Sequence, residues 1–286
     1  MTGFLFTSIW TGRCFSQRRC LPFTWCWWSS VTSPGENIIS DNINRKLQRT
    51  LSDWQRWQVP LPAKPRLIRA LQGGRTNQSF LVECGAHLGV VRINAHNSTN
   101  LGIDRERELS LLRLLQSLEC VPRIWFASQE VLVTEFVDGR QWHRDSLQQP
   151  GLRRRLARLI ERLQGITFTA YMPRFSYRVH CENYLQQLED TFPDGAAVVA
   201  LAATLDEGDW QPVISHHDLV PENIVETERG LVLLDWEYAG WGHPAMDGVR
   251  LYGRDFPHPD TEKVYELQQA MDRLWQAVQN QLINTV

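Results

Sequence analysis

The chain has 286 residues, 43% of them hydrophobic and 22% charged, with a formal net charge of −2. This composition supports a globular protein with a sizeable core and argues against a general nucleic-acid binder. No run of about 18 apolar residues occurs, so no membrane span is expected.

Residues 1–35 contain no Asp or Glu, yet carry four of the twelve Trp and three of the six Cys. Arg13, Arg18 and Arg19 interrupt the apolar runs, unlike the unbroken core of a signal peptide. Cys14, Cys20 and Cys26 have neither a nearby His nor a fourth ligand for a metal. Residues 1–40 are therefore expected to be a poorly ordered extension from an early-assigned start codon, with a surface-binding leader as the lesser alternative. Cys84, Cys120 and Cys181 are scattered and form no C-x-x-C pair, which fits reduced packing residues and a cytoplasmic protein.

From Asp41 the pattern becomes regular. Ile43, Leu47, Leu51 and Trp54 recur at helical spacing over 43–57. Strands are predicted at 67–71, 79–84 and 88–93. The first two are separated by a glycine-rich turn containing Gly73, Gly74, Thr76 and Asn77. Asp104 is placed to cap a helix running to about Glu119, with leucines at 109, 112, 115 and 118 on its inward stripe. A further strand covers 131–137. Helices follow at 151–165, 179–190 and 195–206, and a long one at 261–282. Strands first and helices later predict an α+β protein of two lobes, 41–138 and 139–286.

The densest chemical signal is ISHHDLVPENIVETERGLVLLDWEY, residues 214–238. It orders His216, Asp218, Asn223 and Asp235, with Asn223 five positions after Asp218. Strands at 224–226 and 231–234 around Glu228-Arg229-Gly230 predict a hairpin. A hairpin brings Asn223 and Asp235 together, and a carboxylate with an amide carbonyl suits Mg²⁺. The pattern matches the H-R-D-L-x-x-x-N loop and D-F-G Asp of protein kinases, where one carboxylate orients the attacking hydroxyl and a second carboxylate and an amide hold magnesium against the phosphates.

Upstream features fit the same chemistry. Gly73 and Gly74 let backbone approach phosphate, although a plain Gly-Gly hairpin turn is commoner. Arg92, on the strand after that turn, is placed to hold the α- and β-phosphates. It needs a carboxylate from the following helix. Glu106 and Glu108 both qualify, and Glu108 is preferred because it shares the stripe with Leu112 and Leu115. The crossover Glu135-Phe136-Val137 is placed to bond an adenine edge through the backbone of Glu135 and Val137. Glu237, Tyr238 and Trp241 offer a carboxylate and aromatic faces for a cationic substrate.

The segments GGRTNQSFLV, VVRIN, HHDLVPENIV and LLDWEYAGWGHPAMD resemble the aminoglycoside phosphotransferase and choline kinase superfamily, within it the thiamine kinase and LicA-type choline kinase branch. The resemblance runs from about Leu67 to Asp247. It implies a protein-kinase-like fold, ATP, Mg²⁺ and phosphorylation of a small-molecule hydroxyl. It further implies Asp218 as base, Asn223 and Asp235 as metal ligands, Arg92 with Glu108 as the phosphate-holding pair, and His216 and Asp247 as braces of the loop. The chain departs from the family at His217, where a small or amide residue is usual, and at Asp247-Gly248-Val249. The expected acceptor is a small cationic alcohol: thiamine first, then choline or ethanolamine, then an aminoglycoside or sugar. A non-catalytic nucleotide-binding pseudokinase and a true protein kinase are the rival readings. No A-P-E segment follows Asp235 to support the latter.

Overall fold

The computed structural model describes residues 40–71, 77–95, 98, 101–167 and 173–284. The expected N-terminal extension lies almost wholly outside them, as do Gly73, Gly74 and Thr76.

Helix α1 (Asp41–Ser52) starts at Ser40, whose hydroxyl accepts from the Ile43 amide, and packs Leu47 and Leu51 inward. It stops short of the predicted end, and Trp54–Arg56 forms a separate helical turn. Strands β1 (Arg66–Leu71), β2 (Gln78–Cys84) and β3 (His87–Ile93) form an antiparallel meander. Helix α2 (Arg105–Leu115) then crosses, with Asp104 accepting from the amides of Glu106 and Arg107. It buries Glu108, Leu111, Leu112 and Leu115, so Leu111 takes the inward place expected for Leu109. The helix ends before Glu119, which turns left-handed at φ 54°.

The sheet is completed by β4 (Ile124–Ala127) and β5 (Val131–Glu135), in the order β1-β2-β3-β5-β4. Strand β4 is absent from the sequence reading, because Ile-Trp-Phe-Ala carries no polar alternation to mark it. α1 and the sheet enclose one core around Phe80, Val91, Trp125 and Val133.

After a short β6 (Arg140–Gln141), the chain turns helical with α3 (Pro150–Gln164), α4 (Tyr177–Gln187) and α5 (Gly195–Asp206). Strand β7 (Val213–Ser215) leads into the hairpin β8 (Ile224–Thr227) and β9 (Gly230–Leu233), which pairs with β6. Strand β10 (Gly240–Gly242) lies antiparallel to β7. Helix α6 (Met246–Tyr252), another element the sequence reading lacks, precedes α7 (Thr261–Asn284). α7 buries Val264, Leu267, Leu274 and Val278 against α4 and α5, while Met271 and Trp275 sit half-exposed at the edge of that core. The molecule is thus an α+β protein with an antiparallel sheet first and a helical part after it. No helix among the described residues is long and apolar enough to cross a membrane.

Candidate active site

Arg92 projects from β3 toward α2 and meets Glu108 with both arms of its guanidinium, Nη1 to Oε1 and Nη2 to Oε2, each at 2.7 Å. Its Nε donates to Asn94 Oδ1 at 3.1 Å. Arg105 adds a second cation to Glu108 at 2.9 Å. The Glu108 side chain is only 3% exposed. Burial alone would raise its acid, but Arg92 and then Arg105 outweigh that and hold it below the usual carboxylate range. Burial likewise opposes the charge on Arg92, and Glu108 reverses the balance so that the guanidinium is held more firmly protonated. Glu106, the alternative partner, is exposed. A cavity of about 220 Å³ opens beside this pair, walled by Val90, Leu132 and Leu234 and rimmed by Glu135, Phe136 and Val137.

The loop after β7 is held by Asp247 at the start of α6. Its carboxylate accepts from Ser215 Oγ (3.0 Å), the His216 amide (2.8 Å) and the His217 amide (3.0 Å). The His216 ring bonds the Leu234 carbonyl at 2.7 Å, which ties the loop to the end of the hairpin. His217 adopts φ 64° and is locked between the Tyr238 carbonyl and the Tyr177 hydroxyl, each at 3.1 Å. Gly242 faces that ring, and a Cβ there would collide with His217 Nε2 and the Tyr177 hydroxyl. Asn223 donates through Nδ2 to the Asp218 carbonyl at 2.9 Å, and its own carbonyl accepts from Leu234.

These bonds bring Asp218, Asn223 and Asp235 to one cavity of about 380 Å³, and Asn223 and Asp235 also line the cavity beside Arg92. Asp235 stands at φ 61°, a conformation costly for a non-glycine residue and commonly stored at functional sites. Its side chain is exposed on the wall of the cleft. The surrounding protein and then the Glu237 carboxylate push its acid well above the usual range. The far wall carries His180, Tyr184, Tyr238, Met271 and Trp275, with Arg250 and Asp272 beside Asp218. Trp275 Nε1 donates to the Tyr238 hydroxyl at 3.2 Å. His180 is neutral at physiological pH, because burial and then the Arg107 cation lower its value to about 4.

Of the expected substrate residues, Tyr238 and Glu237 line the larger cavity and Trp241 does not. Trp241 is 6% exposed, packs in the core between β7 and α2, and lines neither cavity. On β10 it pairs with Ile214, and both side chains belong to the same buried core. Glu237 reaches the cavity wall, but its Oε2 already accepts from Asn77 Nδ2 at 2.8 Å and Arg105 Nη1 at 3.2 Å. It ties the hairpin end to the sheet and α2 through that oxygen while lining the larger cavity. Asn77, expected at the phosphates, has its carbonyl oxygen filled by Arg105 and the Ala95 amide. The Glu135 carboxylate points to Arg123 and Arg229, so only its backbone is left to face the cavity. The sequence reading also lacks His180, Tyr184, Arg250, Asp272 and Trp275 as site residues. Only Trp275 had a usable signal, as an aromatic on the apolar stripe of α7.

A small antiparallel sheet over a helical part, with a buried Arg–Glu pair above a carboxylate-bearing hairpin, defines a protein-kinase-like phosphotransferase fold. The model of the phosphotransferase enzyme family (APH) matches residues 67–279, and the chain belongs to that family. Ethanolamine kinase 2 of Mus musculus is 26% identical over 203 residues, which span 64% of this chain and 52% of that protein. The chain spans about half the length of the first curated relatives it matches. Among solved structures, choline kinase LicA from Streptococcus pneumoniae superposes with a TM-score of 0.64 at 20% identity, covering 83% of this chain and 91% of that one. A streptomycin–ATP complex of APH(2")-IIa superposes at 0.52 with 15% identity, covering 82% and 84%.

Proposed function

We propose that this protein transfers the γ-phosphate of ATP to the hydroxyl of a small cationic alcohol. The single observation that carries the reading is the shared pair of cavities. Asn223 and Asp235 border both, Arg92 and Glu108 lie in one, and Asp218 lies in the other. ATP would occupy the first, between the lobes of 41–138 and 139–286, with the adenine along Glu135–Val137 and the phosphates toward Arg92.

The donor set fits Mg²⁺. Asn223 spends its nitrogen on the Asp218 carbonyl, which leaves the hard Oδ1 as a ligand. The Asp235 carboxylate stands among like charges that a cation would offset. When bound there, magnesium neutralises charge on the β- and γ-phosphates. Asp218 orients the acceptor hydroxyl and takes its proton, the hydroxyl oxygen bonds the γ-phosphorus, and the bond to the β-phosphate oxygen breaks to release ADP. His216 and Asp247 keep the loop in place during this step.

The acceptor wall combines the aromatic faces of Tyr184, Tyr238 and Trp275 with the carboxylates of Asp218 and Asp235, which suits a cationic nitrogen. Ethanolamine and choline rank first because the curated relatives are named ethanolamine kinases and a LicA homolog. Thiamine, first from the sequence, follows. The unpaired buried cysteines Cys84, Cys120 and Cys181 suit a cytoplasmic, reducing setting. The test is magnesium-dependent ADP release over ethanolamine, choline, thiamine, an amino sugar and an aminoglycoside. Turnover confined to the small amino alcohols supports the reading. ATP binding without turnover of any of them supports a pseudokinase instead.

A further inference from the structure

Helix α6 reaches the catalytic loop at two points. Asp247 and Arg250 stand three residues apart and so share one face of the helix. Asp247 holds the loop from behind, through the Ser215 hydroxyl and the backbone amides of His216 and His217. Arg250 approaches from the cavity, and its Nη2 donates to Asp218 Oδ1 at 3.3 Å.

The plane of that guanidinium is set by Asp272 on α7, through Nη1 to Oδ2 at 2.7 Å and Nη2 to Oδ1 at 2.9 Å. Such a two-armed pair uses one hydrogen on each terminal nitrogen. The remaining hydrogen of Nη2 serves Asp218. The Nε of Arg250 is buried without a partner, so the two terminal nitrogens alone fix the group. The side chain is 21% exposed, against 35% for Asp218 and 41% for Asp272.

We propose that Arg250 is a positioning residue for phosphoryl transfer: it grips Asp218 through Oδ1, leaving Oδ2 for the incoming hydroxyl, and Asp272 sets the angle of the grip. The inference rests on the function proposed above. A misplacement of the base by about 1 Å costs on the order of 10²-fold in rate. Lysine carries the charge but not the planar fork, and cannot serve both carboxylates in one geometry. The arrangement also makes the pose of the base depend on α7, the helix that carries Met271 and Trp275 to the same cavity.

The test is steady-state kinetics of the full chain with its best amino alcohol. Arg250→Ala is expected to lower kcat about 10–100-fold while the KM for ATP stays unchanged. Arg250→Lys should fall in between, and added guanidinium ion should restore part of the rate of Arg250→Ala but none of that lost by Arg250→Lys. Asp272→Asn should lose less. The double variant should be no slower than Arg250→Ala, because the two act as one unit. A kcat for Arg250→Ala within about two-fold of wild type, or additive losses in the double variant, overturns the assignment. Should Arg250→Ala fail to fold, Arg250→Lys and Asp272→Asn decide by the same split between kcat and KM. A wild-type protein inactive on every alcohol sinks the function and this assignment with it. An active wild type with an unimpaired variant sinks this assignment alone.

Discussion

The wall of the cleft that holds Arg92 and the wall that holds Asp218 are assembled in different ways. The first is nearly continuous chain: β1 through β5 span Arg66–Glu135, neighbouring strands pair antiparallel, and α2 delivers Glu108 from within the same stretch. The second gathers His180 and Tyr184 from α4, Asp218 from a loop, Tyr238 from the hairpin end, Arg250 from α6, and Asp272 and Trp275 from α7. The Arg92 wall is therefore a local device and the Asp218 wall a global one. Changes on the first should act mainly on ATP, and changes on the second mainly on the alcohol and the chemical step.

Asp235 sits where the two walls meet and should show the largest effect. Asp235→Ala is expected to cut turnover by about 10²–10³-fold and to shift the magnesium dependence of ATP binding to higher concentration, as followed by titration calorimetry. Unchanged magnesium dependence would separate the walls more sharply than proposed.

Glu108→Gln strikes the nucleotide wall alone. It leaves Arg92 and Arg105 buried without their shared carboxylate, at a cost of about 3–5 kcal/mol in stability, and should raise the KM for ATP while the KM for the alcohol holds. Chemical denaturation and kinetics together check this. The sign in pH follows from the depressed acid. The contribution of Glu108 is fully present above the ordinary carboxyl value and is lost as pH falls through its lower folded value. The variant should therefore lose less stability on acidification.

His180 supplies the corresponding probe on the acceptor wall. It is held neutral with its value lowered to about 4, so the unfolded chain binds the extra proton first. Stability is intact above about 6.5, the ordinary histidine value, and falls as pH drops from there toward the folded value of about 4. His180→Gln should flatten that slope in unfolding midpoints measured between these limits. An unchanged slope would show that another group titrates there. Tyr238→Phe should be mildest. It removes the hydroxyl that accepts from Trp275, worth about 0.5–1.5 kcal/mol, and should appear as a modest rise in the KM for the alcohol with ATP unaffected.

The same contrast explains what could be read from the chain. The β2–β3 strands, the hairpin, Arg92, Glu108, Asn223 and Asp235 were legible because local periodicity and fixed spacing placed them. Trp241 misled because nearness in sequence to Asp235 does not decide which way a strand turns its side chains. The ties of Glu237 to Asn77 and Arg105 were not legible, because those partners lie 160 and 132 residues away. Arg250 and Asp272 could not be found, since α6 is only seven residues long and their meeting depends on how it docks against α7. Strand β4 lacked alternation because all four of its residues, Ile124–Ala127, are apolar.

The central claim is that Asp218 orients and deprotonates the acceptor at the junction of the two walls. It is tested most directly by comparing wild type with Asp218→Asn in ADP release driven by ethanolamine or choline, alongside ATP affinity in the absence of alcohol. The account predicts a rate lowered by about 10²–10⁴-fold with ATP affinity nearly intact. A variant that turns over at the wild-type rate contradicts it.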